Sequence, residues 1–333
     1  MTDNKGVLIC GEVVEQNITT VTSELISTGR LLSDKLGEPL SLLLIGHNMG
    51  EAAREAIFLG ADDVYVSDQP LFSDFNPEDH VATVANLCRQ ISPLLVLFGH
   101  TDKGRDSAPR LAAKLDATVC LDCVEVEINL ETKKIYQTKP VYGGNAMAVW
   151  ESTGPLPHIA AMRPRSEEQA AKDAARQGRI IPFSPATDAP AAKVRLLESL
   201  TEEVKGIKLE DAKVIVAGGG GIGGKDGFML IEELARILRG TIGTTRVPSD
   251  EGWMPKSIEI GQTGHMVSPD LYIAVGISGA PQHLAGCAGS KRIVAINRDP
   301  EANIFREADF GIIGDYKEAL PSLIEKLKSI LTG

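Results

Sequence analysis

The hydrophobic period of this chain switches repeatedly between that of a strand and that of a helix, and this alternation narrows the possible folds more than any other feature. Residues 6–13, 40–45, 63–66 and 94–98 are short runs rich in Val, Leu and Ile, and they read as strands. The mostly apolar ones have the pattern of strands covered on both faces. Residues 20–36, 50–59, 76–92 and 105–115 read as helices. The first places Leu25, Leu31, Leu32 and Leu36 at helical spacing and stops at Gly37, and Pro77 opens the third. Strand and helix in strict alternation imply a parallel sheet with helices on both faces.

The pattern then changes. Residues 120–127, 134–142 and 158–162 read as strands with no helix between them, and residues 129–133 read as a turn. This suggests a more mixed sheet region closing a first domain. Residues 168–178 are polar, a surface helix or a linker, and residues 182–190 carry three prolines, as a connector would. Residues 194–197 read as a further short strand. A second α/β unit begins near Leu209, with strands at 213–217, 241–244, 271–275, 293–296 and 310–313 and helices at 226–238 and 317–331. The expected fold class is α/β in two domains. Residues 1–195 form a parallel-sheet domain of the nucleotide-binding kind, and residues 196–333 form a Rossmann-like domain.

Composition agrees with this class and excludes others. A length of 333 residues suits about two domains. Aromatics are only 5% while glycines number 33, which favours tight strand-to-helix turns over an aromatic-rich β sandwich. Lys plus Arg is 34 against 45 Asp plus Glu, a net charge of −11, so nucleic acid and anionic lipid are poor partners. No apolar run approaches the ~18–20 residues of a membrane span. The N-terminus leads straight into a strand without a signal segment, so no membrane insertion and a cytoplasmic location are expected.

Two motifs are weak by themselves. Cys120-Leu-Asp-Cys123 is a single CxxC without a second pair or a histidine partner, and reduced thiols at a strand end are the simpler reading. Cys10, Cys88 and Cys287 are isolated. Gly218, Gly220 and Gly223 spell GxGxxG after an expected strand and before an expected helix, where backbone N–H groups can meet a diphosphate. A structural tight turn explains so glycine-rich a run equally well. The residue after Thr245 is Arg246, where an NAD site would place an acidic side chain, so NADP fits this turn better than NAD. The six histidines are scattered and suggest no metal site. Asp102, Lys103 and Arg105 follow a strand end and read as structural or interfacial. Glu202 and Glu203 read as a solvated face.

The most specific stretch is residues 244–297. It contains Gly261-Gln262-Thr263-Gly264, Leu271-Tyr272-Ile273-Ala274, Gly276-Ile277-Ser278-Gly279-Ala280, Gln282-His283-Leu284-Ala285-Gly286 and Ile293-Val294-Ala295-Ile296-Asn297. The strand at 271–275 ends in small residues, and Ser278 is placed to cap a helix beginning near Pro281. His283 then falls in the first helical turn. Asn297 falls at the carboxyl end of the next strand, the edge where α/β sheets bind ligands.

This pattern closely resembles the alpha subunit of electron transfer flavoprotein, the FixB-type family. The likeness extends over nearly the whole chain, including residues 109–115 and 143–146. It implies one FAD held mainly by the second domain, with the first domain packing on a beta subunit. Carried onto this sequence, Arg246 should lie over the isoalloxazine, Thr263 should hydrogen-bond flavin N5, and His283 should reach the O2 side of the ring. Ile260, Gly261, Gln262 and the segment Ser278, Gly279, Ala280, Pro281 and Gln282 should line the ring, ribityl chain and diphosphate. Thr245 should support the diphosphate or ribityl chain. Asn297, Asp315 and Tyr316 should meet the adenosine half. Gly220 lies in the cofactor loop where many members carry Arg.

The implied chemistry is redox tuning by Arg246, Thr263 and His283, with no bond-breaking residue. A charged hydrogen bond of ~1.5–3 kcal/mol to a one-electron-reduced ring is worth roughly 65–130 mV. The implied function is an electron carrier that accepts electrons from acyl-CoA dehydrogenase-type flavoenzymes and passes them to a quinone reductase or another acceptor. A bifurcating complex would instead oxidise NADH and deliver to ferredoxin. The beta subunit would carry AMP or a second FAD. Two alternatives from other classes are an NADP-dependent oxidoreductase using Gly218–Gly223 and Arg246, and a nucleotide-binding module built on the first domain alone.

Overall fold

The computed structural model describes residues 5–142, 146–184, 194, 198 and 207–331. The chain divides into two compact units, residues 1–141 with 147–200 and residues 142–146 with 201–333.

The first unit contains β1 (Val7–Gly11), β2 (Val13–Val14), β3 (Asn17–Ile18), α1 (Thr20–Leu36), β4 (Leu40–Gly46), α2 (Gly50–Leu59), β5 (Asp63–Asp68), α3 (Pro77–Ile91), β6 (Leu95–Gly99) and α4 (Asp102–Leu115). These are followed by β7 (Val119–Cys123), β8 (Glu125–Ile128), β9 (Ile135–Val141), β10 (Ala146–Glu151), β11 (His158–Met162) and β12 (Arg179–Pro182). Seven strands form one parallel sheet in the order β12-β5-β4-β1-β6-β11-β7. Its two faces carry separate cores, and β1, β6 and β11 are buried throughout. Thr19, Asn76 and Thr101 cap α1, α3 and α4 through their side chains, and Gly37 ends α1 with φ 67°.

Several expectations need correction. Helix α4 starts one turn before residue 105 because the Thr101 hydroxyl accepts from Gly104 N–H at 3.1 Å. Leu31, expected on the apolar stripe of α1, is 58% exposed. The mixed region is two things: β7 and β11 join the main sheet in parallel, while β8 and β9 pair antiparallel in a three-stranded sheet with β10. Residues 168–178 contain no helix; they run as an irregular segment tied down by Ala170 N–H on the Ser23 carbonyl and by Arg176 on Asp62. Val194 is exposed and belongs to no strand, and residues 195–197, most of the 182–190 connector, residues 143–145, Glu202 and Glu203 lie outside the described residues.

The second unit contains β13 (Val214–Gly218), α5 (Phe228–Ile237), β14 (Thr241–Thr244), α6 (Arg246–Asp250), β15 (Leu271–Val275), α7 (Pro281–Cys287), β16 (Ile293–Asn297), α8 (Ile304–Glu307), β17 (Phe310–Ile313) and α9 (Tyr316–Leu331). Its five strands are parallel in the order β14-β13-β15-β16-β17. The chain leaves β13 for β14 on one side and returns to β15 on the other, which opens a crevice at the carboxyl ends of β13 and β15. Among the described residues, no helix is long and apolar enough to cross a membrane.

Candidate functional site

The crevice at the carboxyl ends of β13 and β15 is floored by two glycine turns pressed together. Gly219 N–H donates to the Val275 carbonyl and Gly221 N–H to the Gly276 carbonyl, both at 2.9 Å. A Cβ at Gly221 would come within 2.8 Å of the Gly276 oxygen, so only glycine permits this approach. The turns border a cavity of about 400 Å³ lined by Gly220, Ser278, Asn297, Asp299, Asp315 and Tyr316, among others. Five residues drawn from separate parts of the sequence reading, Gly220, Ser278, Asn297, Asp315 and Tyr316, thus face one space. Tyr316 is buried, and its hydroxyl donates to the Ile222 carbonyl at 2.9 Å, so its ring closes the cavity against the glycine turn. Asn297 fixes the opposite wall: its amide donates to the Ile277 carbonyl at 2.8 Å and its oxygen accepts from Asp299 N–H at 3.0 Å.

The GxGxxG reading fares differently. Besides Gly219 and Gly221, Ile222 and Gly223 use their N–H groups on the carbonyls of Gly219 and Gly220. Gly220–Ile222 themselves form a short 3₁₀ turn, a second follows at Lys225–Gly227, and α5 begins only at Phe228. The run is a structural turn that shapes a cavity wall, and it does not open a helix whose N–H groups point at a diphosphate. Ser278 is not the cap of α7 either: the residue before that helix is Ala280, which offers no side-chain oxygen. The Ser278 carbonyl instead accepts from Ile304 N–H at 3.2 Å.

The remaining expected residues gather beside the end of β14. Ile260 N–H donates to the Thr244 carbonyl at 2.8 Å, which extends the sheet edge into the turn at 260–264. Gln262 N–H donates to the Gln282 carbonyl at 2.8 Å, and Gly261, with φ 149°, lies against the same carbonyl. The turn and the start of α7 therefore form one surface carrying Gln262, Thr263, Pro281 and Gln282, with Ile260, Gly261 and His283 buried beneath it. Gly279, with φ 81°, and Ala280 link this surface to the cavity wall at Ser278. Thr245 N–H donates to the Gly218 carbonyl at 3.1 Å, so Thr245 stands where β14 meets the glycine turn. Arg246 opens α6 with an exposed guanidinium held 3.0 Å from Asp250.

His283 is buried and fully engaged. Its Nδ1 lies 2.9 Å from the Ile260 carbonyl and its Nε2 lies 3.0 Å from the Tyr272 hydroxyl. A carbonyl can only accept, so Nδ1 carries the hydrogen and Nε2 accepts from Tyr272. Burial pushes the His283 pKa down, partly offset by the bond to Ile260. This imidazole is neutral with both nitrogens used.

Two residues of the site were not read as such in the sequence. Tyr272 is fully buried and holds His283, yet in sequence it looked like one more apolar strand position. Glu259 is 1% exposed; its Oε1 accepts from the Thr263 hydroxyl at 2.7 Å, while its Oε2 is buried without a partner. A carboxylate four residues before a threonine, between two isoleucines, was the available signal.

The first unit has a cavity of about 350 Å³ at the ends of β1 and β4, lined in part by Glu12, Glu15, Asp74, Phe75, His80 and Lys103. Lys103 lies 5.7 Å over the Phe75 ring. Three carboxylates against one lysine disfavour a polyphosphate there. Among the described residues, no group of three or more His, Cys, Asp or Glu side chains could hold a metal ion.

Residues 7–188 match the family model described as the electron transfer flavoprotein domain, and residues 208–288 match the electron transfer flavoprotein FAD-binding domain. The chain is 40% identical over 330 residues to electron transfer flavoprotein subunit alpha of Thermoanaerobacterium thermosaccharolyticum, covering 99% of this chain and 100% of that one. It is 38% identical over 328 residues to the subunit of the same name from Bacillus subtilis, covering 98% of each. It is also 33% identical over 324 residues to subunit LctC of the lactate dehydrogenase (NAD(+),ferredoxin) of Acetobacterium woodii, covering 97% of this chain and 77% of that subunit.

Proposed function

The chain belongs to the electron transfer flavoprotein alpha subunit family, and on that premise we propose that it is the FAD-holding subunit of a heterodimeric electron carrier in the cytoplasm. The observation that carries this reading is the continuous surface in the second unit: one cavity lined by Gly220, Ser278, Asn297, Asp315 and Tyr316, joined through Gly279 and Ala280 to the turn at 260–263 and the start of α7. The residues fit such a cofactor. A cavity bordered by Gly221 and Gly276, where any Cβ would meet the backbone of the facing turn, suits a nucleotide half, and the adjoining turn exposes polar groups for a flat ring.

When bound, FAD supplies one- and two-electron transfer; the protein supplies position and electrostatics. On this reading Asn297, Asp315 and Tyr316 hold the adenosine half, and Ser278 to Gln282 line the diphosphate and ribityl chain. Gly261, Gln262 and Thr263 face the ring. Arg246, free to leave Asp250 at little cost as an exposed pair, supplies the positive charge. His283 orients the turn through Ile260 and donates no proton elsewhere.

The natural donors on this reading are acyl-CoA dehydrogenases or similar flavoenzymes, with a quinone reductase as acceptor and AMP in the beta subunit. A second reading is favoured by the likeness to LctC, whose name includes NAD(+) and ferredoxin: a bifurcating complex with a second FAD in the beta subunit. The NADP alternative has no comparable support, since Gly219, Gly221, Ile222 and Gly223 use their N–H groups within the two turns and α5 begins only at Phe228.

The test is flavin quantification on the chain co-purified with its beta subunit. One FAD per heterodimer supports the simple carrier. Two FAD reducible by NADH support bifurcation. No flavin after reconstitution overturns both.

A further inference from the structure

Cys120 and Cys123 are a chemistry-bearing pair that the flavin reading does not use. In a regular strand, residues three apart point to opposite faces of the sheet. Here they do not. Strand β7 pairs with β11 as Ala160 with Cys120, Ala161 with Leu121, and then Met162 with Cys123, so Asp122 is a bulge with no partner across the ladder. Asp122 has φ 64°. Arg163 holds it with two bonds of 2.8 Å, Nε to Oδ1 and a terminal nitrogen to Oδ2, and His100 Nδ1 lies 3.4 Å from Oδ1.

The bulge resets the alternation. Val119 and Leu121 pack on one core of the first unit, while Cys120 and Cys123 both pack on the other. Cys123 is buried, with its Sγ 3.4 Å from the Cys120 carbonyl. Cys120 is half-buried, on the edge strand of the seven-stranded sheet. The neighbouring Cys123 thiol pulls the Cys120 pKa down against burial, with help from Lys139, while the same contact and burial push Cys123 up. A more acidic, half-buried thiol beside a fully buried one is the arrangement of an attacking and a resolving cysteine.

We propose that Cys120 and Cys123 form a thiol–disulfide exchange site that takes a small-molecule disulfide as its oxidant. In the first step the Cys120 thiolate attacks one sulfur of the disulfide; a bond from Cys120 Sγ to that sulfur forms, the disulfide bond breaks, and the leaving thiolate takes a proton from water. In the second step Cys123 gives its proton to solvent and attacks Cys120 Sγ, releasing the second small thiol. Two protein thiols are oxidised to one disulfide, and one small disulfide is reduced to two thiols.

The test incubates the flavin-loaded heterodimer with glutathione disulfide, alkylates the remaining thiols, and weighs the tryptic peptide 115–133. The wild-type peptide should lose two hydrogens and take no alkyl group, and dithiothreitol should reverse this. Cys123→Ser should leave a stable glutathione adduct on Cys120, with Cys123→Ala as the substitute if the serine unfolds the core. Cys120→Ser should leave Cys123 unmodified. Far-UV circular dichroism and the thermal unfolding transition, which report on both units, check that each variant is folded. A wild-type peptide that takes two alkyl groups, or that keeps a glutathione adduct on Cys120, overturns the proposal.

Discussion

Replacing Tyr272 by Phe removes one oxygen from the middle of the second unit and tests how His283 is held. Tyr272 is fully buried and His283 is 6% exposed, so water cannot take the place of the lost hydroxyl. The 3.0 Å bond to Nε2 disappears, leaving a buried acceptor with no partner. That penalty is about 1–3 kcal/mol, or roughly 3–12 °C in the melting temperature of a unit of this size. The assay is calorimetry of the flavin-loaded heterodimer, with Tyr272→Phe, His283→Ala and the double variant forming a cycle. Because the two side chains touch, their coupling should reach roughly 0.5–3 kcal/mol. Histidine nitrogen NMR adds a reading that mere packing would not move: His283 should carry its hydrogen on Nδ1, since the Ile260 carbonyl at 2.9 Å can only accept. Additive losses, or a hydrogen found on Nε2, would refute the reasoning.

Three further outcomes follow from other contacts. Burial pushes His80 from 6.5 down to about 4, with Lys103 adding to the effect. The unfolded chain therefore binds a proton that the native chain does not as pH falls below 6.5. Stability is lost on acidification, by about 2 kcal/mol at pH 5, and urea unfolding of His80→Leu should show a flatter pH profile. Gly279→Ala places a Cβ against the Ile304 backbone at φ 81°, whereas Gly37→Ala meets open space at φ 67°. The first should lose flavin on gel filtration and be destabilised by more than the ~1–2 kcal/mol of left-handed strain alone, while the second should keep its flavin. Thr263→Val takes the hydroxyl from Glu259, whose other oxygen already lacks a partner, so unfolding should show a loss of about 1–3 kcal/mol that Thr263→Ser restores.

What could be read from the sequence depended on whether a residue's partners lie close along the chain. Helix α1 spans residues 20–36 and α2 residues 50–59, as periodicity and flanking residues indicate, because caps and stops act within one turn. Strand β12, only Arg179-Ile180-Ile181-Pro182, is too short and exposed to carry the apolar run of a buried strand, while β10 carries such a run at residues 146–150 and yet is largely exposed. The bulge at Asp122 was equally hidden: residues 120–127 read as one strand, and the residue that holds the bulge, Arg163, comes forty-one positions later. The same rule separates the parts of the candidate site. Its backbone turns were legible, since glycine and small residues announce close approaches locally. Its hydrogen-bond polarity was not. The family resemblance implies that His283 reaches the O2 side of a flavin; in the fold the Ile260 carbonyl and the Tyr272 hydroxyl, distant in sequence, use its two nitrogens. With His283 neutral and both its nitrogens engaged, the positive charge in the expected tuning set rests on Arg246, whose guanidinium is 71% exposed. A site built this way keeps the positive charge of its tuning set on a side chain that can move and its polar anchors on residues that cannot. Tuning should then follow the placement of Arg246 more than the pH around His283.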